Sequence, residues 1–524
     1  MSHFRIGTLL AAAGAGLLAA GTGVVASALV AATFTGVPSP LVSVGNTVID
    51  LAPAAVKDFA VEAFGTADKA VLLAGIYLVI AAAAAFAGVV GLRRPRLALW
   101  ITAGLGALAV AAGATDRTSM LLGPLRALPA VVALAVSVVT LGWLLSVLGR
   151  RVQGDSAPWL EPHPGDDVGA DFDRRRFLHA VLVTSAAVAV GAVGTRLLGG
   201  AAAVASRARV RLPRAVDPAG AVPAGAELEV RGITPYLTPN DDFYRIDTAL
   251  SPPDVPTDGW TLRVHGMVDN ELTLDFTDLL RRRLVERRIT LTCVSNEVGG
   301  DLVGNATWIG VPLGELLSEA GVHADADAVL STSADGFTAG TPLAALTDGR
   351  DAMIAVGMNG EPLPIIHGFP ARMVVPGLYG YVSATKWVTD IEVTRFDDFD
   401  AYWTSRGWAA EGPIKTAARI DVPSAEAQLD AGRQVVAGVA WAQTRGIEKV
   451  EVRIDDGDWV QARLGAQDGQ DTWRQWVWQW DAVPGRHTVQ VRATDRTGTT
   501  QTSDEAPPRP DGATGWPSRT VTVS

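Results

Sequence analysis

Five long apolar segments in the first two hundred residues constrain the fold of this chain more than any other feature. They span residues 6–34, 70–92, 97–114, 127–148 and 177–195 and contain no Asp, Glu, Lys or Arg. A helix needs roughly 17–25 apolar residues to cross a bilayer, and the first segment is too long for the apolar core of a signal peptide. Five buried helices of a soluble protein are the alternative, but only 19% of the chain is charged. We therefore predict five transmembrane helices in residues 1–199.

The arginines between these segments predict the orientation of the helices. Two loops are rich in arginine: one holds Arg93, Arg94 and Arg96, and the other holds Arg150, Arg151, Arg174, Arg175 and Arg176. Loops rich in Lys and Arg stay in the cytoplasm, so we predict a cytoplasmic N-terminus. Five crossings then place the chain after the fifth helix outside the cytoplasmic membrane.

A short motif opens the fifth apolar segment. Residues 173–179 read Asp-Arg-Arg-Arg-Phe-Leu-His, which resembles the twin-arginine export pattern of two arginines, a variable residue, Phe and Leu. That pathway exports folded proteins, so it suits a domain that receives a cofactor in the cytoplasm. An ordinary positively charged helix start is the alternative interpretation.

The single cysteine of the chain, Cys293, follows a β-favouring run at residues 289–291. A polar, glycine-rich run from Ser295 to Gly300 comes after it. This pattern predicts a strand that delivers a thiol into a loop. A lone cysteine forms no internal disulfide, so its open roles are an apolar filler, a nucleophile or a metal ligand.

Several motifs follow Cys293 in a fixed order. They are Trp308-Ile-Gly-Val-Pro-Leu-Gly-Glu, Met358-Asn-Gly-Glu-Pro-Leu-Pro364, His367-Gly-Phe-Pro-Ala-Arg372 and Lys386-Trp387. In this order and spacing they resemble the molybdopterin domain of the sulfite oxidase family, and the similarity extends from about Thr238 to the C-terminus. The resemblance implies a molybdenum–molybdopterin cofactor with Cys293 as the thiolate ligand of the metal, a soft ligand for a redox metal.

The resemblance also implies which residues surround the cofactor. Tyr244 and Arg245 belong to the first cofactor segment, and Arg245 corresponds to an arginine that faces the metal and an oxyanion substrate. His367 and Arg372 correspond to the histidine and arginine on the pterin tail. The last cofactor segment comprises Ala384, Thr385 and Lys386. We accordingly expect Cys293 and Arg245 to be the catalytic residues.

Three positions depart from the pattern of true sulfite oxidases. Glu297 stands where positive charge is expected, Phe337 replaces a pocket tyrosine, and Asp247 replaces a histidine. An acid near the metal repels a sulfite dianion. We therefore expect a substrate other than sulfite, while the expectation of molybdenum is unaffected.

Composition and strand spacing divide the chain into four parts. Residues 1–199 form the all-α transmembrane region and residues 200–234 an Ala-, Arg-, Pro- and Gly-rich linker. Residues 235–412 form a mixed α+β molybdopterin-binding domain. Residues 413–524 hold short strand-like runs separated by tight turns, which predicts an all-β, immunoglobulin-like sandwich. It stands where the resembled family keeps its dimerisation domain, so we expect a homodimer.

Together, the helices and the resemblance predict a membrane-anchored molybdenum oxidoreductase that transfers an oxygen atom to or from a small substrate outside the cytoplasm. The alternative is a non-enzymatic receptor or adhesion protein with a degenerate cofactor fold. We expect a separate electron-transfer partner and no intrinsic haem. A haem between two membrane histidines needs a pair at similar depth, and the helical region offers only His3 and His179, both near the predicted cytoplasmic face. The net charge of −11 and the lack of a basic cluster argue against nucleic-acid binding.

Overall fold

The computed structural model describes residues 6–34, 36–53, 56, 59, 63–64, 68–119, 123–149, 174–198 and 201–524. The chain divides into two compact units. The N-terminal unit comprises Met1–Ala202 with Ala249–Asp254, and the C-terminal unit comprises Ala203–Thr248 with Val255–Ser524.

The described part of the N-terminal unit is helical. Its helices are α1 (Ile6–Ala32), α2 (Pro40–Leu51), α3 (Asp68–Gly91), α4 (Pro95–Thr115), α5 (Leu128–Gly149) and α6 (Arg174–Leu198). All except α2 contain a stretch long and apolar enough to cross a membrane, which confirms the five predicted segments as candidate spans. Helix α2 was not predicted, because it is short and carries polar residues such as Ser43 and Asn46.

Glycine and alanine let the helices of this unit approach closely. A Cβ atom added at Gly16 of α1 would overlap the backbone of Ala84 in α3, and one added at Gly88 would overlap the backbone of Ala12. Small residues allow such backbone contact between helices in lipid, where hydrophobicity alone does not hold helices together.

A buried polar cluster joins α2 to the end of α4. Asp116 is buried, and its carboxylate accepts hydrogen bonds from the amide of Asn46 at 3.3 and 3.4 Å and from the hydroxyl of Thr118 at 2.8 Å. These bonds satisfy groups that would be costly to bury unpaired. The charged residues of this unit are therefore not confined to its surface.

The segment of residues 200–234, predicted as a linker, contains a helix and buried residues in the structure. It contains helix α7 (Ala201–Arg209), and Ala203, Ala226 and Leu228 are buried in the C-terminal unit. The guanidinium of Arg207 donates to the carbonyl oxygen of Leu363 at 2.8 Å. Its small and proline-rich composition resembles that of a flexible linker, but it packs as part of the globular domain.

Two sheets form the middle of the C-terminal unit, as expected for an α+β domain. One has the order β2-β1-β10-β5-β6 and comprises β1 (Thr261–Gly266), β2 (Leu272–Asp275), β5 (Ala328–Ser333), β6 (Thr338–Pro342) and β10 (Val388–Thr394). The other has the order β3-β4-β7-β8, with β9 also paired to β7. It comprises β3 (Val285–Thr292), β4 (Val303–Pro312), β7 (Met353–Met358), β8 (Glu361–Pro362) and β9 (Arg372–Val374).

Short helices accompany these sheets. They are α8 (Phe276–Arg281), α9 (Leu313–Ala320), α10 (Ala344–Thr347) and α11 (Gly380–Ser383). Helix α8 begins with a capping box, in which Asp275 and Asp278 exchange side-chain and backbone hydrogen bonds. Helix α9 ends at Gly321, whose φ of 74° is the left-handed conformation that glycine tolerates.

Two further sheets end the chain and share one hydrophobic core. The first has the order β11-β13-β17-β16 and comprises β11 (Ala417–Val422), β13 (Gly432–Trp441), β16 (Arg463–Leu464) and β17 (Arg474–Ala482). The second has the order β12-β19-β18-β14-β15 and comprises β12 (Gln428–Leu429), β14 (Ile447–Ile454), β15 (Val460–Gln461), β18 (Gly485–Asp495) and β19 (Ser518–Val523). The all-β region is thus present, while its immunoglobulin-like class stays a prediction.

A buried ion pair connects the β3 strand to this C-terminal region. Arg288 Nη2 lies 2.9 Å from Asp468 Oδ1, Arg288 Nε binds the second oxygen, and Tyr236 Oη donates to the same carboxylate at 2.9 Å. The two charged side chains are only 10% and 9% exposed.

We expect Arg288→Met to lower the free energy of unfolding of the C-terminal unit by about 3–5 kcal/mol, because Asp468 is left buried without its cation. Tryptophan fluorescence during chemical unfolding of the full chain in detergent measures this. Arg263→Met is the matched control, since the Arg263–Glu271 pair is exposed and should contribute little. Equal losses in both variants would contradict the assignment.

Candidate active site

Cys293 lies directly after β3, which ends at Thr292 as the sequence predicted. The Cys293 N–H donates to the carbonyl oxygen of Leu302 at 2.9 Å, and Asn296 Oδ1 accepts the Leu302 N–H at 2.8 Å. Asn296 N–H also donates to the Cys293 carbonyl oxygen at 3.1 Å. These bonds hold the loop in one conformation and fix the position of the thiol.

The strand that carries Cys293 is the outer strand of its sheet, and other parts of the chain cover its edge. Glu286 N–H donates to the carbonyl oxygen of Asp217 at 2.9 Å. Further along the strand, Thr290 N–H donates to the Asp471 carbonyl oxygen at 2.9 Å and Gln443 donates to the Thr290 carbonyl oxygen at 2.8 Å. The segment predicted as a linker, which contains Asp217, and the C-terminal β region therefore supply hydrogen-bond partners to the edge of β3. An exposed edge strand would lack such partners.

Burial of the thiol is compatible with an apolar filler and with a metal ligand, so the metal-ligand role of Cys293 stays a prediction. Cys293 is 8% exposed and faces a pocket. Burial raises the pKa of the thiol, and hydrogen bonds involving Ser295 counteract this only in part. A thiolate at this position therefore needs a nearby cation for its stability, which a bound metal supplies.

The pocket contains about 850 Å³ of empty space, its mouth included. Most of the predicted cofactor residues line it: Tyr244, Cys293, His367, Arg372, Ala384 and Lys386. Burial raises the pKa of the Tyr244 phenol, so that its hydroxyl stays protonated. Thr385 is instead fully buried and bonds Ser331 at 2.7 Å between their hydroxyl oxygens.

Arg372 lies in this pocket as a buried cation. Its side chain donates to the carbonyl oxygens of His367, Met373 and Ala384 at 3.2–3.3 Å and lies 5.0 Å from the centre of the Trp308 ring. Burial lowers the pKa of Arg372 to about 10. Among the residues that the structure describes, no carboxylate forms an ion pair with it. An unpaired buried charge is costly, so the site is built for an anionic group.

His367 is buried and neutral at physiological pH. Burial lowers its pKa to about 4. Its Nε2 lies 2.8 Å from the carbonyl oxygen of Asn240, and because that oxygen only accepts, Nε2 carries the proton. Nδ1 is thus the acceptor atom of the ring.

Arg245 is not among the residues that line the pocket, although it was expected to face the substrate. Its Nε donates to Asp247 Oδ2 at 2.5 Å. The other carboxylate oxygen of Asp247 binds the ammonium group of Lys386. Asp247 itself lines the pocket, and its side chain is only 1% exposed, against 38% for Arg245. The catalytic role of Arg245 stays a prediction.

Glu297 requires a correction. It is exposed and lines a different cavity, together with Lys415, Arg445 and Asp495. The turn after Cys293 directs residue 297 away from the pocket that holds the thiol, so an acid four positions along the chain does not share its environment. The acids that line the thiol pocket are Asp247 and Asp335.

Sequence reasoning missed several residues of the pocket. Asp335 is buried, and its carboxylate accepts the Phe337 N–H at 3.0 Å; the Asp-Gly pair before Phe337 was an available turn signal. Tyr381, Trp403 and Trp408 form an aromatic wall, with ring centres 5.9 and 6.1 Å apart between neighbours. No local pattern indicates that these rings meet in one pocket.

The pocket fits a molybdopterin group in four independent respects. Cys293 offers a sulfur ligand, Arg372 an uncompensated positive charge, and His367 an acceptor nitrogen. The hydroxyl of Thr248 is buried beside the pocket and has no hydrogen-bond partner among the described residues. A cofactor with a metal, an anionic tail and ring amides has a complementary set of groups.

Comparisons with known proteins agree with this geometry. Residues 249–403 match the family model described as the oxidoreductase molybdopterin binding domain. The chain is 32% identical over 180 residues to the uncharacterized oxidoreductase YuiH of Bacillus subtilis. The aligned residues cover 34% of this chain and 87% of YuiH. These features define a molybdopterin-dependent oxidoreductase. The chain belongs to the sulfite oxidase family of such enzymes.

More distant relatives give the extent of the similarity. The mitochondrial sulfite oxidase of Rattus norvegicus is 28% identical over 289 residues, covering 47% of this chain and 52% of that protein. The Drosophila melanogaster enzyme is 30% identical over 304 residues, covering 50% and 52%. The chain thus spans about half the length of these relatives. The sulfane dehydrogenase SoxCD of Paracoccus pantotrophus aligns with a TM-score of 0.49 at 24% identity, covering 56% of this chain and 85% of that one.

We expect Arg372→Met to have opposite effects on cofactor content and on the stability of the cofactor-free protein. Without the cation, the anionic tail loses its partner and the pterin content of purified protein should fall at least tenfold. The cofactor-free variant should unfold at the same denaturant concentration as the native protein or higher, because an unpaired buried charge is gone.

Fluorescence of the released pterin and chemical unfolding measure the two effects. Arg395→Met is the control, since Arg395 pairs with Asp325 away from the pocket. Full pterin content in Arg372→Met would show that the anionic group binds elsewhere.

Proposed function

We propose that this protein is a membrane-anchored molybdenum oxidoreductase that performs two-electron oxygen-atom transfer on a small substrate, with sulfur compounds as the first class to test. The observation that carries the proposal is one pocket with a buried thiol, Cys293, and a buried cation, Arg372, that pairs with no carboxylate in the described part of the chain. A non-enzymatic receptor is the weaker candidate, because it would not need either group to be buried and unpaired.

The bound cofactor would supply the two-electron redox chemistry and accept or donate the oxygen atom. The protein's own residues would hold and orient it: the Cys293 sulfur would bind the metal, Arg372 the anionic tail, and His367 Nδ1 would accept a hydrogen bond. Tyr244 presents a protonated hydroxyl to the same pocket. The aromatic wall supplies apolar surface there.

Electrons require a second protein or molecule. The chain has one cysteine, too few for a cysteine-bound iron–sulfur cluster, and His3 and His179 are the histidines of its predicted helical region. We propose a separate electron-transfer partner. For the C-terminal β region we propose an immunoglobulin-like class and a role in a homodimer, supported by the two sheets that share one core.

The location outside the cytoplasmic membrane is part of the proposal. The five candidate spans and the arginine distribution support it. Most of the arginine-rich segment before the fifth span, including Arg150, Arg151 and Asp173, lies outside the described residues. The side chains of Arg174–Arg176 are likewise not described. The twin-arginine export signal therefore rests on the sequence motif alone.

Cys293→Ser should remove molybdenum and turnover while pterin remains, because a hydroxyl is a poor substitute for the thiolate and Arg372 still binds the tail. Elemental analysis for molybdenum beside pterin fluorescence on the same samples measures both. Ser295→Ala, which keeps the sulfur, should retain the metal. Native molybdenum content in Cys293→Ser would disprove the metal-ligand assignment.

Reporter fusions test the orientation. A reporter active only outside the cytoplasm, fused after Ser524, should be active because five crossings separate it from a cytoplasmic N-terminus. A reporter active only inside should work when inserted near Gly165. A cytoplasmic signal from the C-terminal fusion would contradict both the count of crossings and the export proposal.

A further inference from the structure

The cations beside the thiol pocket are already bound by an acid of the same chain. Asp247 receives Arg245 Nε on one oxygen, at 2.5 Å, and the Lys386 ammonium on the other. The Asp247 side chain is almost inaccessible, and that of Lys386 is also largely buried. Lys386 further donates to the Ile366 carbonyl oxygen at 3.2 Å and lies 4.8 Å from the centre of the Trp387 ring.

This arrangement decides how much positive charge a substrate meets. Attraction of an anion requires cations whose charge is not already offset at short range. The Asp247 carboxylate lies between two cations and offsets one of their two positive charges. The remaining cation of the pocket, Arg372, lies where the cofactor's anionic tail is expected. Asp335 adds a second buried negative group to the pocket lining. The loaded pocket therefore offers an oxyanion little net attraction.

The rest of the pocket favours an uncharged molecule with an apolar group. Phe337, Tyr381, Trp403 and Trp408 line it, and their rings contact one another or a neighbouring tyrosine. Aromatic rings stabilise a bound apolar group by burying its surface together with their own. They offer a hydrated dianion no comparable stabilisation. Charge and surface thus select for the same kind of ligand.

We propose that Asp247 is a specificity-determining residue that makes this pocket select uncharged substrates over oxyanions, because it binds Arg245 and Lys386 at the same time. The proposal rests on the proposed function, since it concerns the substrate of that same site. It assigns to Asp247 a positioning role: the residue acts through the two cations that it holds.

Sulfate is the probe, because it is an oxyanion that undergoes no turnover. Its binding to the molybdenum-loaded protein is measured by calorimetry in the native protein and in Asp247→Asn. Loss of the carboxylate releases two cations, so sulfate affinity should rise at least tenfold, about 1.4 kcal/mol. The gain should shrink as salt concentration rises.

Three variants separate released cations from a general change in charge. Asp335→Asn removes one negative charge from the same pocket, but no described cation pairs with Asp335, so its sulfate affinity should change much less. Asp247→Glu restores the carboxylate and should return the affinity toward the native value. The double variant Asp247→Asn/Lys386→Gln should lose most of the gain, because one of the two released cations is gone.

Turnover gives a second readout on the same samples. Sulfite oxidation adds a water oxygen to sulfur, releases two protons, and passes two electrons to ferricyanide. Reduction of dimethyl sulfoxide breaks the S–O bond, takes two electrons from reduced benzyl viologen and two protons, and releases water. The ratio of kcat/KM for sulfite to that for dimethyl sulfoxide should rise at least tenfold in Asp247→Asn.

The outcomes distinguish the two proposals. Absence of molybdenum from the native protein would overturn the proposed function. A loaded native protein that binds sulfate as tightly as Asp247→Asn would overturn the role of Asp247 and leave the function standing. Equal gains in sulfate affinity in Asp247→Asn and Asp335→Asn would also overturn the role of Asp247. Removal of any negative charge from the pocket would then explain the effect.

Discussion

The covered edge of one strand is the constraint on which the active site depends. Strand β3 delivers Cys293 into the pocket, yet it is the outer strand of its sheet and its edge groups need partners. Asp217 forms a backbone hydrogen bond with the first half of β3, and Asp471 and Gln443 form hydrogen bonds with its second half. The C-terminal β region is therefore part of the support for the thiol, in addition to any role in dimerisation. This also explains why a segment with the composition of a linker packs tightly.

Positive charge is distributed unevenly in and beside the pocket. The distribution distinguishes binding of the cofactor from attraction of the substrate. Arg372 is buried against backbone carbonyl oxygens and leaves its charge for a bound anion. Arg245 and Lys386 share the carboxylate of Asp247, which offsets one of their two charges inside the protein. Arg372 is thus the cation that we propose holds the cofactor, while a substrate meets only part of the positive charge of the other two. The same fold can in this way keep a cofactor and change its substrate.

The two units of the chain obey different packing rules. In the helical unit, glycines such as Gly16 and Gly88 bring backbones into contact, which is the packing that small residues allow between helices in lipid. In the C-terminal unit, burial of large side chains such as Trp308, Trp387 and Trp473 provides the stability that small residues provide in the helices. The difference in composition near residue 200 accompanies this difference in packing.

The sequence by itself determined the candidate spans, the α+β and all-β regions, the strand before Cys293 and the class of cofactor. Each of these depends on local composition, on periodicity or on ordered motifs, so neighbouring residues carry the signal. Tertiary structure alone decided that Asp247 binds Lys386, 139 positions away, and that Glu297 leaves the pocket. It also brought Phe337 and Trp408 into one wall. Ion pairs and ring contacts form only between groups within a few ångströms of each other. In this fold those groups lie on loops that are far apart in the sequence.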